Sequence, residues 1–94
     1  MQRLTPDALA LLQNTLPKWQ RAGSLIRREF EFSDFIAAMA FVNRVAEAAE
    51  AAQHHPDIDI RWNRVCLAFT THDAGGLTVL DFELAAACDR LIGQ

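Results

Sequence analysis

Three histidines and two acids are the side chains of this 94-residue chain whose types and spacing best suit chemistry. His54 and His55 follow a helical pattern and His72 follows a strand pattern, so all three are predicted to lie at element ends or in loops, where catalytic groups are common. Imidazole gives or takes a proton near neutral pH, and histidines in different surroundings can divide these tasks. Glu50 and Asp81 are the acids that could assist them, so the pattern indicates an acid–base site.

Each candidate also has a purely structural explanation. His54 and His55 could form a solvated helix end, where imidazolium suits the negative end of the dipole. Glu50 lies in the unfavourable last turn of the same helix, so it could pair with His54 four residues on, or it could hold a polar ligand or orient an imidazole. Asp81, the third residue after Thr78, completes a capping box without needing a catalytic role.

A zinc site built from the three histidines is the main alternative chemistry, because such sites occur in some hydrating enzymes. Adjacent side chains of an extended segment point apart, which disfavours His54 and His55 as ligands of one ion. The chain has no His-x-His or His-Glu-x-x-His spacing, no nucleophile-elbow context for a serine triad, and no obvious histidine partner for either cysteine. The residues therefore favour proton transfer without a metal.

The elements that must position these residues follow from capping signals and periodicity. Thr5-Pro6-Asp7 predicts a helix start, and Pro17 ends that helix. Apolar and charged residues alternate up to Phe32, so residues 18 to 32 are predicted to form a hairpin. Ser33-Asp34 then predicts the cap of a long helix that ends before Pro56. Its inward stripe is predicted to contain Phe35, Met39, Val42, Ala46 and Ala49.

The second half of the chain predicts two more strands and a last helix. Residues 57 to 60 fit a short strand and residues 62 to 71 a longer one, whose second face carries Cys66 and Ala68 and is only half polar. Gly75-Gly76 predicts a turn, and Thr78 opens a helix reaching about Ile92. The order α-β-β-α-β-β-α indicates an α+β fold with helices packed on one face of an antiparallel sheet.

Length and charge limit the class of protein. Residues 1–94 are predicted to form one domain, small enough that self-association would add stability. The net charge is −3 and no basic cluster exceeds Arg27-Arg28, so nucleic acid is not expected as a direct partner. No stretch approaches the roughly 18 apolar residues of a membrane span. Without a signal peptide and with no disulfide expected between Cys66 and Cys88, the chain is predicted to be soluble and cytoplasmic.

Taken in order, several motifs resemble the signature of the pterin-4a-carbinolamine dehydratase family, also known as the dimerisation cofactor family. The signature residues are Glu50, His54-His55-Pro56, Trp62, His72 and Asp81. The similarity extends over nearly the whole chain through Trp19, Phe30-x-Phe32, the long helix, Thr70-Thr71-His72 and Gly75-Gly76-Leu77-Thr78.

The resemblance implies a four-stranded antiparallel sheet and assembly as a homodimer or homotetramer. It implies dehydration of the 4a-hydroxytetrahydropterin that aromatic amino-acid hydroxylases release, in support of tetrahydrobiopterin recycling, with neither metal nor organic cofactor. At matched positions it implies that His54 and His55 are the acid/base pair, with His72 as a third imidazole at the site. It implies that Asp81 is an orienting carboxylate. The residues that it implies as substrate contacts are Glu50, Thr71 and Trp62.

Two positions depart from the family pattern, and one other function competes. Leu80 stands where many members carry an arginine before the aspartate, so an electrostatic contact near Asp81 is expected either to be missing or to be replaced by Arg61 or Arg64. Ile58 stands where some members carry an aromatic residue. The competing function, which the family name suggests, is a dimerisation partner or coactivator of a transcription regulator with weak or no catalysis. The apolar helices and the half-covered sheet face are its support in the sequence.

Overall fold

The computed structural model describes residues 2–92 and has the predicted order of three helices and four strands. The strands form one antiparallel sheet in the order β1-β2-β4-β3, which confirms the α+β architecture. A short 3₁₀ turn, His72–Ala74, lies between the last strand and the last helix. The elements are α1 (Pro6–Thr15), β1 (Gln20–Ala22), β2 (Leu25–Glu31), α2 (Phe35–Ala52), β3 (Asp57–Arg61), β4 (Arg64–Phe69) and α3 (Val79–Arg90).

One face of the sheet carries the core. Ile26 and Phe30 on β2 pair directly with Phe69 and Val65 on β4, so the four side chains share a face. All four are at most 3% exposed. Because side chains alternate along a strand, the intervening residues lie on the opposite, open face. The residues there include Arg27, Glu29, Asp59, Arg61 and Arg64.

The helix starts form where the caps predict them. The Thr5 hydroxyl accepts a hydrogen bond from the Ala8 N–H at 3.2 Å, and Asp34 Oδ1 accepts one from the Ala37 N–H at 2.8 Å. These contacts satisfy main-chain donors that a helix cannot pair internally. The helices then pack on the sheet through large side chains, as in the contact of Phe41 with Phe30, whose ring centroids are 4.7 Å apart.

The inward face of α2 differs from the predicted stripe. Val42 and Ala49 are buried as predicted, but Phe35 is 48% exposed and Ala46 is exposed. The side chains that α2 does bury are Ala38, Phe41, Val42, Val45 and Ala49. Alanine occurs on every side of this helix, so hydrophobic periodicity alone does not fix which side faces the sheet.

The strand predicted over residues 62 to 71 is shorter at both ends. Trp62 and Asn63 form the tight turn between β3 and β4, with Trp62 at a φ of 53°. The N–H of Phe32 donates to Asn63 O at 2.9 Å, and Asn63 Nδ2 donates to Phe32 O at 2.8 Å, which ties this turn to the end of β2. Trp62 is therefore a turn residue and 67% exposed.

Both cysteines are free thiols, since Cys66 and Cys88 form no disulfide. No helix within residues 2–92 is long and apolar enough to cross a membrane.

Candidate active site

The end of α2 determines where the two adjacent histidines go. Gln53 adopts a left-handed conformation, and the N–H of His54 bonds back to Ala49 O at 3.1 Å. Pro56 then disfavours helical geometry in the residue before it. The chain turns sharply out of the helix, and the side chains of His54 and His55 separate, with 11% and 59% exposure respectively.

His54 points inward and is fixed by Asp81. Its Nε2 lies 2.6 Å from Asp81 Oδ1, and its ring stacks on Phe69 with a centroid distance of 6.0 Å. Asp81 itself is 0% exposed. If Nε2 carries the proton donated to Asp81, neutral His54 keeps its lone pair on Nδ1. Within residues 2–92 no hydrogen bond occupies that Nδ1, so it is available to a ligand.

Two threonines complete the surroundings of Asp81. Its Oδ2 accepts from the Thr71 hydroxyl at 2.8 Å and from the Thr78 N–H at 2.9 Å. The two threonine hydroxyls are 2.9 Å apart. Because the single hydroxyl proton of Thr71 goes to Asp81, the Thr78 hydroxyl must donate to Thr71. Asp81 thus has the capping role predicted for it and also holds His54.

Glu50 pairs with His55, not with His54. His55 Nε2 lies 2.7 Å from Glu50 Oε1, and both side chains are more than half exposed. The predicted alternative, an i,i+4 pair between Glu50 and His54, is wrong because the left-handed turn at Gln53 directs His54 toward α3. Glu50 and His55 together form a solvent-facing polar pair beside the inward-facing one.

One surface pocket of about 270 Å³ collects most of the predicted site residues. Its lining includes His54, His55, Thr71 and His72, so the three histidines do meet. The 3₁₀ turn presents His72, whose carbonyl accepts from the Gly75 N–H at 3.0 Å. The remaining lining residues, which sequence reasoning did not assign, are Gln53, Thr70 and Asp73. The only feature of the sequence that could have indicated these three residues is that each is close to a histidine along the chain.

Three predicted site residues do not line this pocket. Asp81 and Glu50 still contact its histidines, His54 and His55 respectively, whereas Trp62 is distant from them. The histidine pair precedes the first residue of β3 and Trp62 follows its last, Arg61. Five strand residues at roughly 3.3 Å each place Trp62 about 16 Å away along the strand.

Of the two outcomes expected at Leu80, the structure shows the missing contact, since neither Arg61 nor Arg64 replaces the arginine charge near Asp81. Arg61 pairs with Asp59 at 3.2 Å and Arg64 with Glu29 at 3.6 Å, both on the open sheet face. Asp81 lies on the opposite side, in the core. Leu80 is partly buried against that core, so an apolar contact occupies the position.

In the part of the chain that the structure describes, side chains that could bind a metal ion do not form a cluster. No three side chains of His, Cys, Asp or Glu cluster there as ligands of one ion would. His54 and His55 point apart, as an extended segment requires.

The fold and the pocket define an α+β domain with a histidine-lined site supported by a buried aspartate. The model of the family "Pterin 4 alpha carbinolamine dehydratase" matches residues 2–91, and the chain belongs to that family. The resemblance found in the sequence is therefore confirmed. Membership makes a pterin the expected substrate class and dehydration by a lyase the expected reaction class.

Curated relatives match over their full length. A protein of Acidobacterium capsulatum named "Putative pterin-4-alpha-carbinolamine dehydratase" is 60% identical over 92 residues, which cover 98% of this chain and 100% of the relative. One of the same name from Chloroflexus aurantiacus is 55% identical over 93 residues, covering 99% and 100%.

Solved structures share the fold. A transcriptional coactivator/pterin dehydratase from Brucella melitensis superposes with a TM-score of 0.92 at 33% identity, over 97% of this chain and 99% of the other. A pterin dehydratase-like RuBisCO assembly factor of the alpha-carboxysome has a TM-score of 0.66 at 22% identity, covering 81% and 88%, which is a likeness of fold alone.

Proposed function

We propose that this protein dehydrates 4a-hydroxytetrahydropterin to quinonoid dihydropterin and water by histidine acid–base catalysis, and thereby supports tetrahydrobiopterin recycling beside an aromatic amino-acid hydroxylase. The observation that carries the proposal is the fixed orientation of His54 on buried Asp81, in a pocket shared with His55 and His72. The two free cysteines fit a reducing compartment such as the cytoplasm.

The reaction needs two proton transfers. The carbon–oxygen bond of the carbinolamine breaks, the departing hydroxyl gains a proton and leaves as water, and a ring nitrogen loses a proton. His54 suits the second transfer, because Nδ1 can take the proton while Asp81 stabilises the imidazolium that forms. His55 and His72 suit the first, because exposed imidazoles exchange protons readily with solvent. This chemistry requires no metal and no organic cofactor.

Substrate binding is assigned to three further residues. Glu50 offers carboxylate oxygens to the N–H donors on the polar edge of a pterin, and Thr71 adds a hydroxyl at the pocket wall. Trp62 lies at the far end of β3, so within this proposal it contacts a pterin only when a second copy of the chain brings it to the pocket. Its assignment depends on the homodimer or homotetramer that the family resemblance implies.

The experiment follows the disappearance of chemically generated 4a-hydroxytetrahydropterin in the presence of a chelator, with the wild-type protein, His54→Ala and His55→Ala. Wild type is expected to exceed the spontaneous rate, to be unaffected by the chelator, and to lose on the order of 10²-fold or more when either imidazole is removed. A wild-type rate equal to background contradicts catalysis. A rate abolished by the chelator and restored by zinc assigns the reaction to a metal site.

A second candidate function is the binding of a transcription regulator. The Brucella melitensis structure carries the name of a coactivator as well as of a dehydratase. On this chain Phe35 and Ile36, at the start of α2, are 48% and 79% exposed, which leaves apolar surface for a partner. Purified protein that turns over pterin but recovers no regulator in a pull-down counts against this function as the main one.

A further inference from the structure

A second cavity is larger than the histidine pocket and shares no lining residue with it. Its volume is about 540 Å³. The segment before α1, the turn between β1 and β2, and residues 75–77 form its walls. Leu4, Leu9 and Leu77 contribute the apolar part of its lining, and Arg3 and Arg21 contribute its charge.

The charge in this cavity is all of one sign. Its lining contains both arginines and no carboxylate. Neither arginine has an acidic partner within 4.0 Å among residues 2–92, in contrast to Arg28, Arg61 and Arg64, which all pair with acids. An arginine pair beside apolar surface and without a counter-charge attracts an anion, because guanidinium N–H donors match phosphate and carboxylate oxygens in geometry and charge.

Each of these exposed arginines has one contact that restricts its side chain. A Cβ added at Gly76 would lie 3.0 Å from Arg3 Cδ, so the missing side chain at Gly76 makes room for the stem of Arg3. The adjacent Leu4 N–H donates to Leu77 O at 2.9 Å, which fixes this segment. Arg21 Nε donates to Gly23 O at 3.0 Å, which leaves its terminal nitrogens free to donate elsewhere. Because these contacts already restrict the two side chains, less side-chain entropy is lost when a ligand binds.

We infer that this cavity is a binding site for a small organic anion, a phosphate or carboxylate with an apolar body. The arginines take the charged group and the leucines the apolar part, which is the usual composition of a small-molecule site. The site is separate from the histidine pocket and does not depend on the proposed dehydration. Its Gly75–Leu77 wall lies between His72 and Asp81 in the chain, so an occupant would contact the loop that presents His72.

The test is a nuclear magnetic resonance titration of the ¹⁵N-labelled chain with phenyl phosphate at constant ionic strength. Saturable shifts are expected at the amides of residues 23, 24, 75 and 76. Arg3→Gln and Arg21→Gln are each expected to weaken binding about tenfold, the effect of losing one charge-assisted contact. Arg61→Gln is the matched control, because it removes the same charge from the open sheet face, and its affinity should stay within about twofold of wild type.

Three results would overturn the inference: shifts that do not saturate, an equal loss of affinity in Arg61→Gln, or shifts centred on residues 54 and 72. Phenol, which lacks the charge, is expected to cause no saturable shift. Arg3→Lys keeps the charge but loses the planar fork, so it is expected to bind with intermediate affinity if Arg3→Gln proves unstable. Because the readout is binding, a negative result here leaves the dehydratase assay untouched, and the reverse also holds.

Discussion

Asp81 combines two roles that the sequence presents as alternatives. Oδ2 accepts from the Thr78 main chain and from Thr71, while Oδ1 holds His54. The capping contact fixes the carboxylate at the first turn of α3, and that fixed position is what lets it orient an imidazole. A residue whose capping role is complete can therefore still orient a histidine side chain.

Removing the two adjacent histidines should have unequal effects on stability. His54→Ala leaves the fully buried Asp81 without one partner, which is expected to lower the free energy of unfolding by about 1–3 kcal/mol. His55→Ala breaks only an exposed pair with Glu50 and should cost less than about 0.5 kcal/mol. Urea denaturation at neutral pH measures both. Equal losses of stability in the two variants would contradict the structure, in which His54 points inward and His55 points toward solvent.

The two thiols should differ in reactivity. Burial, assisted by the negative charge of Asp89, raises the pKa of Cys88 from 9.0 to about 12, so its thiol stays protonated at pH 8. Cys66 is partly exposed on the open sheet face. Iodoacetamide at pH 8 is expected to add one label to the native protein, at Cys66, and two in denaturant. Cys66→Ser is the control and should take no label while native.

The same pKa shift sets a direction for alkaline stability. The folded chain holds the Cys88 proton more tightly than the unfolded chain does, so this contribution is fully present below pH 9 and is lost as the pH rises toward 12.

At the scale of elements, the residues at which the helices start were predictable from the sequence. Which side of α2 faces the sheet was not. Thr5, Asp34 and Thr78 mark their helices by chemistry that acts within one turn. Which side of α2 faces inward depends instead on how its side chains pack against those of the sheet. Because alanines are small and apolar and occur on every side of α2, the sequence permits several orientations. The pairing of Glu50 with His55 was equally hidden, because it follows from a left-handed Gln53 and no glycine in the sequence marks that turn.

Gln53 also provides a prediction. At φ 53° and ψ 41°, a residue with a side chain is strained where glycine is not. Gln53→Gly is expected to raise the free energy of unfolding by about 0.5–1 kcal/mol, reduced by the loss of the hydrogen bond from Gln53 Nε2 to Glu50 O. Ala46→Gly, at an exposed position inside α2, is the matched control and should lower it by about 0.5–1 kcal/mol. Chemical denaturation measures the free energy of unfolding of both variants. If Gln53→Gly were destabilised as Ala46→Gly is, the backbone at Gln53 would not be strained.

At the scale of the molecule, the sequence predicts the layers because buried apolar residues recur at every second position of β4 and at Ile26 and Phe30 of β2. The side chains of Ile26, Phe30, Val65, Leu67 and Phe69 lie in the core, and most charged members of β2 and β4 lie on the open face. Arg28 is the exception, because it lies on the core side and contacts Asp89. What the sequence leaves undetermined is how distant elements are joined by polar contacts, since these need side chains more than sixty residues apart to meet. Asp89 is the clearest case, because it connects the end of α3 to β2 and to the segment before β1.

Asp89 should therefore contribute disproportionately to stability. Its Oδ1 accepts from Trp19 Nε1 at 2.9 Å and from Arg28 Nη1 at 2.6 Å, and Trp19 is only 1% exposed. Asp89→Ala leaves a buried indole donor without an acceptor and a half-buried guanidinium without a counter-charge, for an expected loss of about 2–3 kcal/mol. In a chain of this size the melting temperature should fall by roughly 10–20 °C. Glu83→Ala, an exposed acid on the same helix, is the control and should change it by less than about 3 °C. Circular dichroism measures both melting temperatures. If the two variants melted at the same temperature, the hydrogen bonds of Asp89 would not contribute to stability, and the apolar core alone would hold α3 on the sheet.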